Sequence, residues 1–210
     1  MKLMQQPDGL WCPLTGQTCY DWTMIEIGIP TFLMDQCAGL GKELGSVVHA
    51  GGNIGIYALE FAKRAKNVYV FEPASENFSA LSLNCALKEN IFLYKAAVGE
   101  TNEPINVVND TPDKQCGAWR VVPTGNIPTL KIDDLALTDV SIIHLDIEGF
   151  ELFALKGAEK TIKRCKPLIG VELMVHSEKY NYSNQDLIDY VISLGYSKCM
   201  KYANEIMFAE

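Results

Sequence analysis

Two stretches of this chain concentrate side chains that can do chemistry. In the first, Gly51, Gly52, Asn53 and Gly55 follow the apolar run Val47–Ala50, and Glu72 ends the next apolar run about 20 residues on. Glycines at such a turn let backbone approach a ligand closely, and an acid at that distance accepts hydrogen bonds from a ribose diol. In the second, Asp146, Glu148 and Glu151 surround Gly149 after the apolar run Ser141–Leu145. Carboxylates beside a glycine turn suit proton abstraction or the orientation of hydroxyl groups. The same side chains would also cap the helix that follows, and for Glu148 and Glu151 both uses stay open. Asp146 has the better claim to chemistry, because its strand faces the glycine turn across the cleft.

The spacing of the first stretch restricts the ligand. A dinucleotide site wants Gly-x-Gly-x-x-Gly, its second glycine letting the pyrophosphate approach. Here Asn53 holds that position, and no third glycine follows Gly55 at the proper distance. No Gly-Lys-Ser/Thr phosphate loop is present either. A ribose-binding acid without a phosphate cradle fits a cofactor that carries adenosine but no phosphate, of which S-adenosylmethionine is the common one.

Length and composition bound the rest. At 210 residues, 48% apolar and 21% charged, the chain suits one well-buried soluble domain. A net charge of −8 argues against nucleic acid as partner. The one basic cluster, Lys160, Lys163, Arg164 and Lys166, falls where it complements a helix C-terminus. Seven scattered cysteines without a Cys-x-x-Cys pair read as reduced thiols, with no zinc site. With no signal-peptide layout and no run of membrane-spanning length, a cytoplasmic protein without a membrane partner is expected.

Along the chain, residues 1–44 read as an N-terminal cap, with one short helix near Phe32–Leu40, and residues 45–210 as a single domain. Strands are expected at Val47–Ala50, Val68–Phe71, Ile91–Tyr94 (extending toward Val98), Ser141–Leu145 and Leu168–Val171, and two more near Ser197–Tyr202 and Glu205–Phe208. Helical periodicity covers 54–65, 75–88 and the segment marked by Leu152, Leu155, Ala158 and Ile162. Ser183 and Asp186 form a capping-box pattern for a helix over 184–194. Residues 99–128 interrupt the alternation, with β-like pieces around Ile105–Val108 and Trp119–Val122. The expected fold is α/β: a doubly wound, mostly parallel seven-stranded sheet with helices on both faces. Right-handed crossovers then bring Gly51, Glu72, Ala97, Asp146 and Glu172 to one edge, at the strands' carboxyl ends.

The set of motifs resembles the FkbM-type methyltransferases over roughly residues 45–175. It comprises Gly51-Gly-Asn-Ile-Gly55, Phe71-Glu-Pro73 with Asn77, Leu81 and Asn84, and Ala97-Val-Gly99. Ile132-Asp-Asp-Leu135, Leu145-Asp-Ile-Glu-Gly-Phe-Glu151 and Leu155-Lys-Gly-Ala158 complete it. The resemblance implies the class I methyltransferase fold, S-adenosylmethionine as methyl donor, and a sugar or small-metabolite hydroxyl as acceptor. It implies that Gly51, Gly52, Asn53 and Gly55 line the methionine and ribose part and that Glu72, with Pro73 and Asn77 behind it, takes the ribose. Ala97 would meet the adenine, and Asp146 would face the methyl group. Two positions depart from the family pattern: His49 stands where an acid is general, and His144 where a lysine is common.

Methylation of a hydroxyl needs alignment, exclusion of water and a base within hydrogen-bond reach. The candidate bases are Asp146 and His176, which stands four residues past Glu172. Glu148 or Glu172 would orient acceptor hydroxyls. Asp146, Glu148 and Glu172 could alternatively hold Mg²⁺, although no metal is expected. Other readings are a binding domain that keeps the fold but has lost turnover, suggested by His49, and a nicotinamide-dependent oxidoreductase, disfavoured by Asn53. Nucleic-acid methylation is disfavoured by charge and by the lack of an Asp/Asn-Pro-Pro-Tyr/Phe motif.

Overall fold

In the computed structural model, residues 2–14, 27–109, 117–173 and 179–210 are described. Strands β1 (Leu3–Gln5) and β2 (Trp11–Pro13) form an antiparallel hairpin, and helix α1 (Gly28–Gly39) leads into the core. Then β3 (Ser46–Ala50), α2 (Ile56–Phe61), β4 (Asn67–Phe71), α3 (Ser75–Asn84) and β5 (Ile91–Tyr94) alternate. An excursion follows, made of β6 (Ala97–Val98), β7 (Ile105–Val108), β8 (Arg120–Pro123), β9 (Thr129–Leu130) and a 3-10 turn at Ile132–Leu135. The chain returns through β10 (Val140–Leu145), α4 (Glu151–Lys156), α5 (Glu159–Cys165) and β11 (Leu168–Glu172). It ends with α6 (Asn184–Ser193), β12 (Ser197–Tyr202) and β13 (Glu205–Ala209).

The main sheet has seven strands in the order β12-β13-β11-β10-β3-β4-β5. It is mixed. The five strands from β11 to β5 run parallel, whereas β13 runs antiparallel to both β11 and β12. The reason is the short link from Tyr202 to Glu205, which is enough for a hairpin but far too short for the crossover that a parallel pair needs. Chain order reverses between β3 and β10, which places the topological switch point of the sheet there.

Each face of the sheet has its own core. Leu33 and Met34 of α1, Phe61 of α2 and Leu81 of α3 pack on one side. Leu152 and Leu155 of α4, Ile162 of α5 and Val191 of α6 pack on the other. The single helix expected over Leu152–Ile162 is broken at Gly157, where a Cβ would lie 1.9 Å from the carbonyl of Gly99. Asp133 then caps α5, its Oδ1 accepting from the Thr161 N–H at 2.7 Å and its Oδ2 from the Lys160 N–H at 3.0 Å. The Ile132–Leu135 and Leu155–Ala158 motifs are therefore two halves of one structural joint. The capping box of α6 forms as the sequence suggests, Ser183 and Asp186 bonding each other's backbone N–H.

The strand expected to extend from Ile91 toward Val98 stops at Tyr94, and Ala97–Val98 pairs instead with β9 in a small parallel ladder. The two β-like pieces of the excursion pair as the hairpin β7-β8. At the other end, the Asn84 amide fastens the first hairpin to the core. Its Oδ1 accepts from the Trp11 N–H at 2.7 Å, and its Nδ2 donates to the carbonyls of Trp11 and Ile54. Among the described residues no helix is long and apolar enough to cross a membrane.

Candidate functional site

At the carboxyl ends of β3, β4, β10 and β11 lies a cavity of about 270 Å³. Its floor exists because Gly51 has no side chain. Gly51 has φ +90°, and a Cβ there would sit 1.8 Å from the Asp146 carbonyl oxygen. The Asp146 N–H donates to the carbonyl of Ala50 at 3.1 Å, so the ends of β3 and β10 are drawn tightly together. The N–H groups of Gly51 and Gly52 both donate to the Phe71 carbonyl, which fastens the turn to the end of β4.

The turn and Glu72 meet directly. Asn53 adopts the left-handed conformation at φ 46°, and its N–H donates to Glu72 Oε2 at 2.8 Å. Glu72 Oε1 accepts from the Ala74 N–H, also at 2.8 Å. Burial pushes the Glu72 carboxyl up to about 8, the two backbone N–H groups work against that rise, and Asp146 adds to it. Each carboxyl oxygen keeps a second lone pair, and Glu72 lines the cavity.

Gly51, Asn53, Pro73, Asn77 and Ala97 also line the cavity. Gly52 and Gly55 do not, and the structure gives their glycines a packing reason: a Cβ on either would press on Leu81 of α3, at 3.1 and 2.8 Å.

Asp146, Glu148 and Glu172 line the same cavity. Glu148 is left-handed at φ 57°, a conformation a non-glycine residue adopts at a cost of about 1–2 kcal/mol. Burial, then the neighbouring Asp146 and Glu151, push its carboxyl up to about 8. Glu151 serves the structure of the loop, for its Oε1 accepts from the N–H groups of Ile147 and Gly149, both at 3.1 Å. Its Oε2 accepts from the Tyr182 hydroxyl at 3.3 Å, so Glu151 braces the segment that carries Asp146 and Glu148. His176 lies outside the described residues.

Behind the floor, the two departures from the family pattern touch. His49 and His144 are buried on neighbouring strands, their Nδ1 atoms 2.9 Å apart. His144 Nε2 lies 3.3 Å from Oε1 of the buried Glu205. Nothing in the sequence links Glu205 to either histidine, because the contact depends on β13 folding back beside β11. Sequence reasoning also misses Trp119, Phe150 and Asn204, which line the cavity. The Trp119 indole N–H is buried without a partner among the described residues. Trp119 comes from the excursion, whose composition carries no periodic signal.

Among the described residues no Lys or Arg lines the cavity, whereas four carboxyl side chains do. That lining is wrong for a phosphate-bearing ligand and right for a cationic one. The glycine cradle, the anchored Glu72 and the acidic floor therefore fit an adenosyl sulfonium. No group of three or more His, Cys, Asp or Glu among the described residues is arranged to hold a metal ion.

The family model of the methyltransferase FkbM domain matches residues 49–198. The chain belongs to the FkbM methyltransferase family. Among solved structures it is similar to the methyltransferase FkbM of Methylobacillus flagellatus KT, with 21% identity and a TM-score of 0.57. That match covers 79% of this chain and 43% of the other, so the chain spans less than half the length of that relative. A SAM-dependent methyltransferase from Aquifex aeolicus matches with 13% identity and a TM-score of 0.51, covering 89% and 92% of the two chains. Aeropyrum pernix fibrillarin, solved with natively bound S-adenosyl-L-methionine, matches with 12% identity and a TM-score of 0.50 over 80% and 67%. A search of curated proteins finds no match. The FkbM domain thus has the Rossmann-like α/β fold of class I methyltransferases.

Proposed function

We propose that this FkbM domain binds S-adenosylmethionine and transfers its methyl group to a hydroxyl of a small molecule or saccharide. The observation that carries the reading is the Asn53–Glu72 clasp at the rim of a cavity that holds four carboxyl groups and, among the described residues, neither Lys nor Arg. Glu72 would take the ribose hydroxyls, the Gly51–Asn53 turn the methionine and ribose part, and the wall at Ala97 the adenine. When bound, the cofactor supplies an electrophilic methyl: a bond forms from acceptor oxygen to carbon, and the carbon–sulfur electron pair stays on sulfur. Asp146 faces the acceptor and stands ready for its proton. Glu148, held in a strained conformation, orients acceptor hydroxyls. An aromatic wall beside carboxyl groups suits a polyol, which has both an apolar face and hydroxyl donors.

The test is calorimetric titration with S-adenosylmethionine and S-adenosylhomocysteine, followed by a screen of polyol acceptors. Both ligands should bind, and Asp146→Ala should abolish methyl transfer with the fold intact. Absence of binding by either ligand would remove the reading.

A further inference from the structure

Two tyrosines that stand two residues apart between β11 and α6 hold two different parts of the cavity lining. The Tyr180 hydroxyl donates to the Val121 carbonyl of β8 at 2.9 Å. The Tyr182 hydroxyl donates to the Gly149 carbonyl, in the loop after β10, at 2.6 Å. Val121 and Trp119 bring the excursion into the lining, and Glu148 and Phe150 bring in the loop.

The rings complete the link. Tyr180 meets Phe150 edge-on, the centroids 5.2 Å apart, and Tyr182 meets Phe153 in the same way at 5.9 Å. Phe150 and Phe153 stack at 4.7 Å, so the four rings form one block. What each hydroxyl secures differs. The excursion has a small core of its own around Ile105, Val107 and Val121, so a hydrogen bond to Val121 fixes where that unit sits against the domain. Glu148 and Gly149 are both left-handed, at φ 57° and 98°. Gly149 is held on both sides, its N–H by Glu151 Oε1 at 3.1 Å and its carbonyl by Tyr182. Tyr182 thereby helps to keep Glu148 in a conformation that costs energy. Burial pushes the Tyr180 phenol up to about 12 and raises Tyr182 as well, so both hydroxyls stay donors near neutral pH.

We propose that Tyr180 and Tyr182 are positioning residues for methyl transfer: together they set the gap between the excursion and the Glu148 loop, and that gap selects the acceptor. This rests on the S-adenosylmethionine reading above. The cofactor contacts assigned there, at Gly51–Asn53 and Glu72, are fastened to the end of β4 by hydrogen bonds that involve neither tyrosine. The tyrosines divide the work. Tyr180 sets the room for the acceptor, and Tyr182 sets the place of Glu148 beside the acceptor's hydroxyls.

Phenylalanine variants of the whole protein test this, because they keep each ring and remove only the hydroxyl. Calorimetric affinity for S-adenosylmethionine should stay within about twofold in both. Methyl transfer is then measured to two polyols of different size, myo-inositol and maltose. Tyr180→Phe should raise KM about fivefold, the worth of one neutral hydrogen bond, with kcat nearly unchanged. Tyr182→Phe should show the opposite split, a lower kcat at nearly the same KM. A second readout needs no turnover and decides even where neither polyol is a substrate. With 5-fluorotryptophan incorporated, the Trp119 resonance, assigned by its loss in Trp119→Phe, should move in Tyr180→Phe and keep its place in Tyr182→Phe. A Trp119 resonance unmoved by Tyr180→Phe, or a kinetic split absent from both variants, would overturn the proposal. So would a fall in S-adenosylmethionine affinity as large as the fall in acceptor affinity, since the tyrosines would then serve only the fold. If the unaltered protein binds no S-adenosylmethionine, the cofactor reading itself falls and takes the proposal with it.

Discussion

His49 and His144, the two residues that set this chain apart from its family's pattern, are bonded to each other through their Nδ1 atoms at 2.9 Å. The two imidazoles make a polar contact across β3 and β10, and His144 is engaged on its other side by Glu205.

One consequence is an acid-side loss of stability. Burial, and then the neighbouring His144, hold His49 well below its usual range, so the folded protein keeps it neutral. The unfolded chain takes up the proton at about 6.5. Stability therefore falls as pH drops below that value, by up to ~1.4 kcal/mol per unit from this group. His144 works in the opposite direction. Burial opposes its charged form, but Glu205 and Asp146 together outweigh burial and raise it, so its contribution is present below about 6.5 and lost as pH rises through the folded value. In urea titrations at about pH 7.5 and 5.5, His49→Asn should lose markedly less stability on acidification than the unaltered protein. Equal losses would show that His49 does not titrate in this way.

Removing the second imidazole should be far more damaging. Glu205 is 3% exposed, and its Oε2 already lacks a hydrogen-bond partner among the described residues. His144→Ala takes away the partner of Oε1 and leaves a buried carboxylate alone, at a cost of about 3–5 kcal/mol. Adding Glu205→Gln removes the charge and should recover much of that loss. Denaturation midpoints of the two singles and the double decide it, and a double variant no better than His144→Ala would refute the pairing.

Glu72 offers a sharper test of the rim. Both of its oxygens accept backbone N–H groups, so Glu72→Gln must turn an amide NH₂ toward the N–H of either Asn53 or Ala74. The turn should loosen at a cost of about 1–3 kcal/mol. Affinity for S-adenosylmethionine should fall at least about tenfold, equivalent to ~1.4 kcal/mol. Unchanged affinity would mean that Glu72 serves the turn alone.

How much of the molecule is legible in its sequence follows from the range of the interactions. The glycine turn, Glu72 and Asp146 are legible because strand, turn and helix signals are local and a doubly wound sheet sends its carboxyl ends to one edge. The family motifs at Asp133 and Gly157 are visible, but their mutual capping joint is not, since it depends on helices packed after the excursion returns. Gly52 and Gly55 look like ligand glycines in the sequence, yet a side chain there would also meet Val70 of β4 and Leu81 of α3 at Gly52, and Leu81 at Gly55, contacts across separate elements. Glu205 and Trp119 reach the site through the reversed β13 and through an excursion without periodicity. Such placements are set by tertiary packing, which leaves no periodic trace.

The glycines themselves provide the remaining prediction. Gly41 and Gly51 both have positive φ, +71° and +90°. A Cβ on Gly41 would meet nothing within 4 Å, so Gly41→Ala should cost only the backbone term of about 1–2 kcal/mol. Gly51→Ala carries that same term and also drives the new methyl into the Asp146 carbonyl at 1.8 Å. The ends of β3 and β10 can relieve the overlap only by separating, which breaks the Asp146–Ala50 hydrogen bond and widens the floor under the cavity. Overpacking of this kind costs a further ~1–3 kcal/mol. The expected outcome is a variant of Gly41 that is mildly destabilised and binds cofactor normally, beside a variant of Gly51 that melts earlier and binds weakly or not at all. Thermal melts with and without S-adenosylmethionine separate the two. A ligand-induced shift in Gly51→Ala as large as in the unaltered protein would show that the close approach of these strand ends is not what shapes the site.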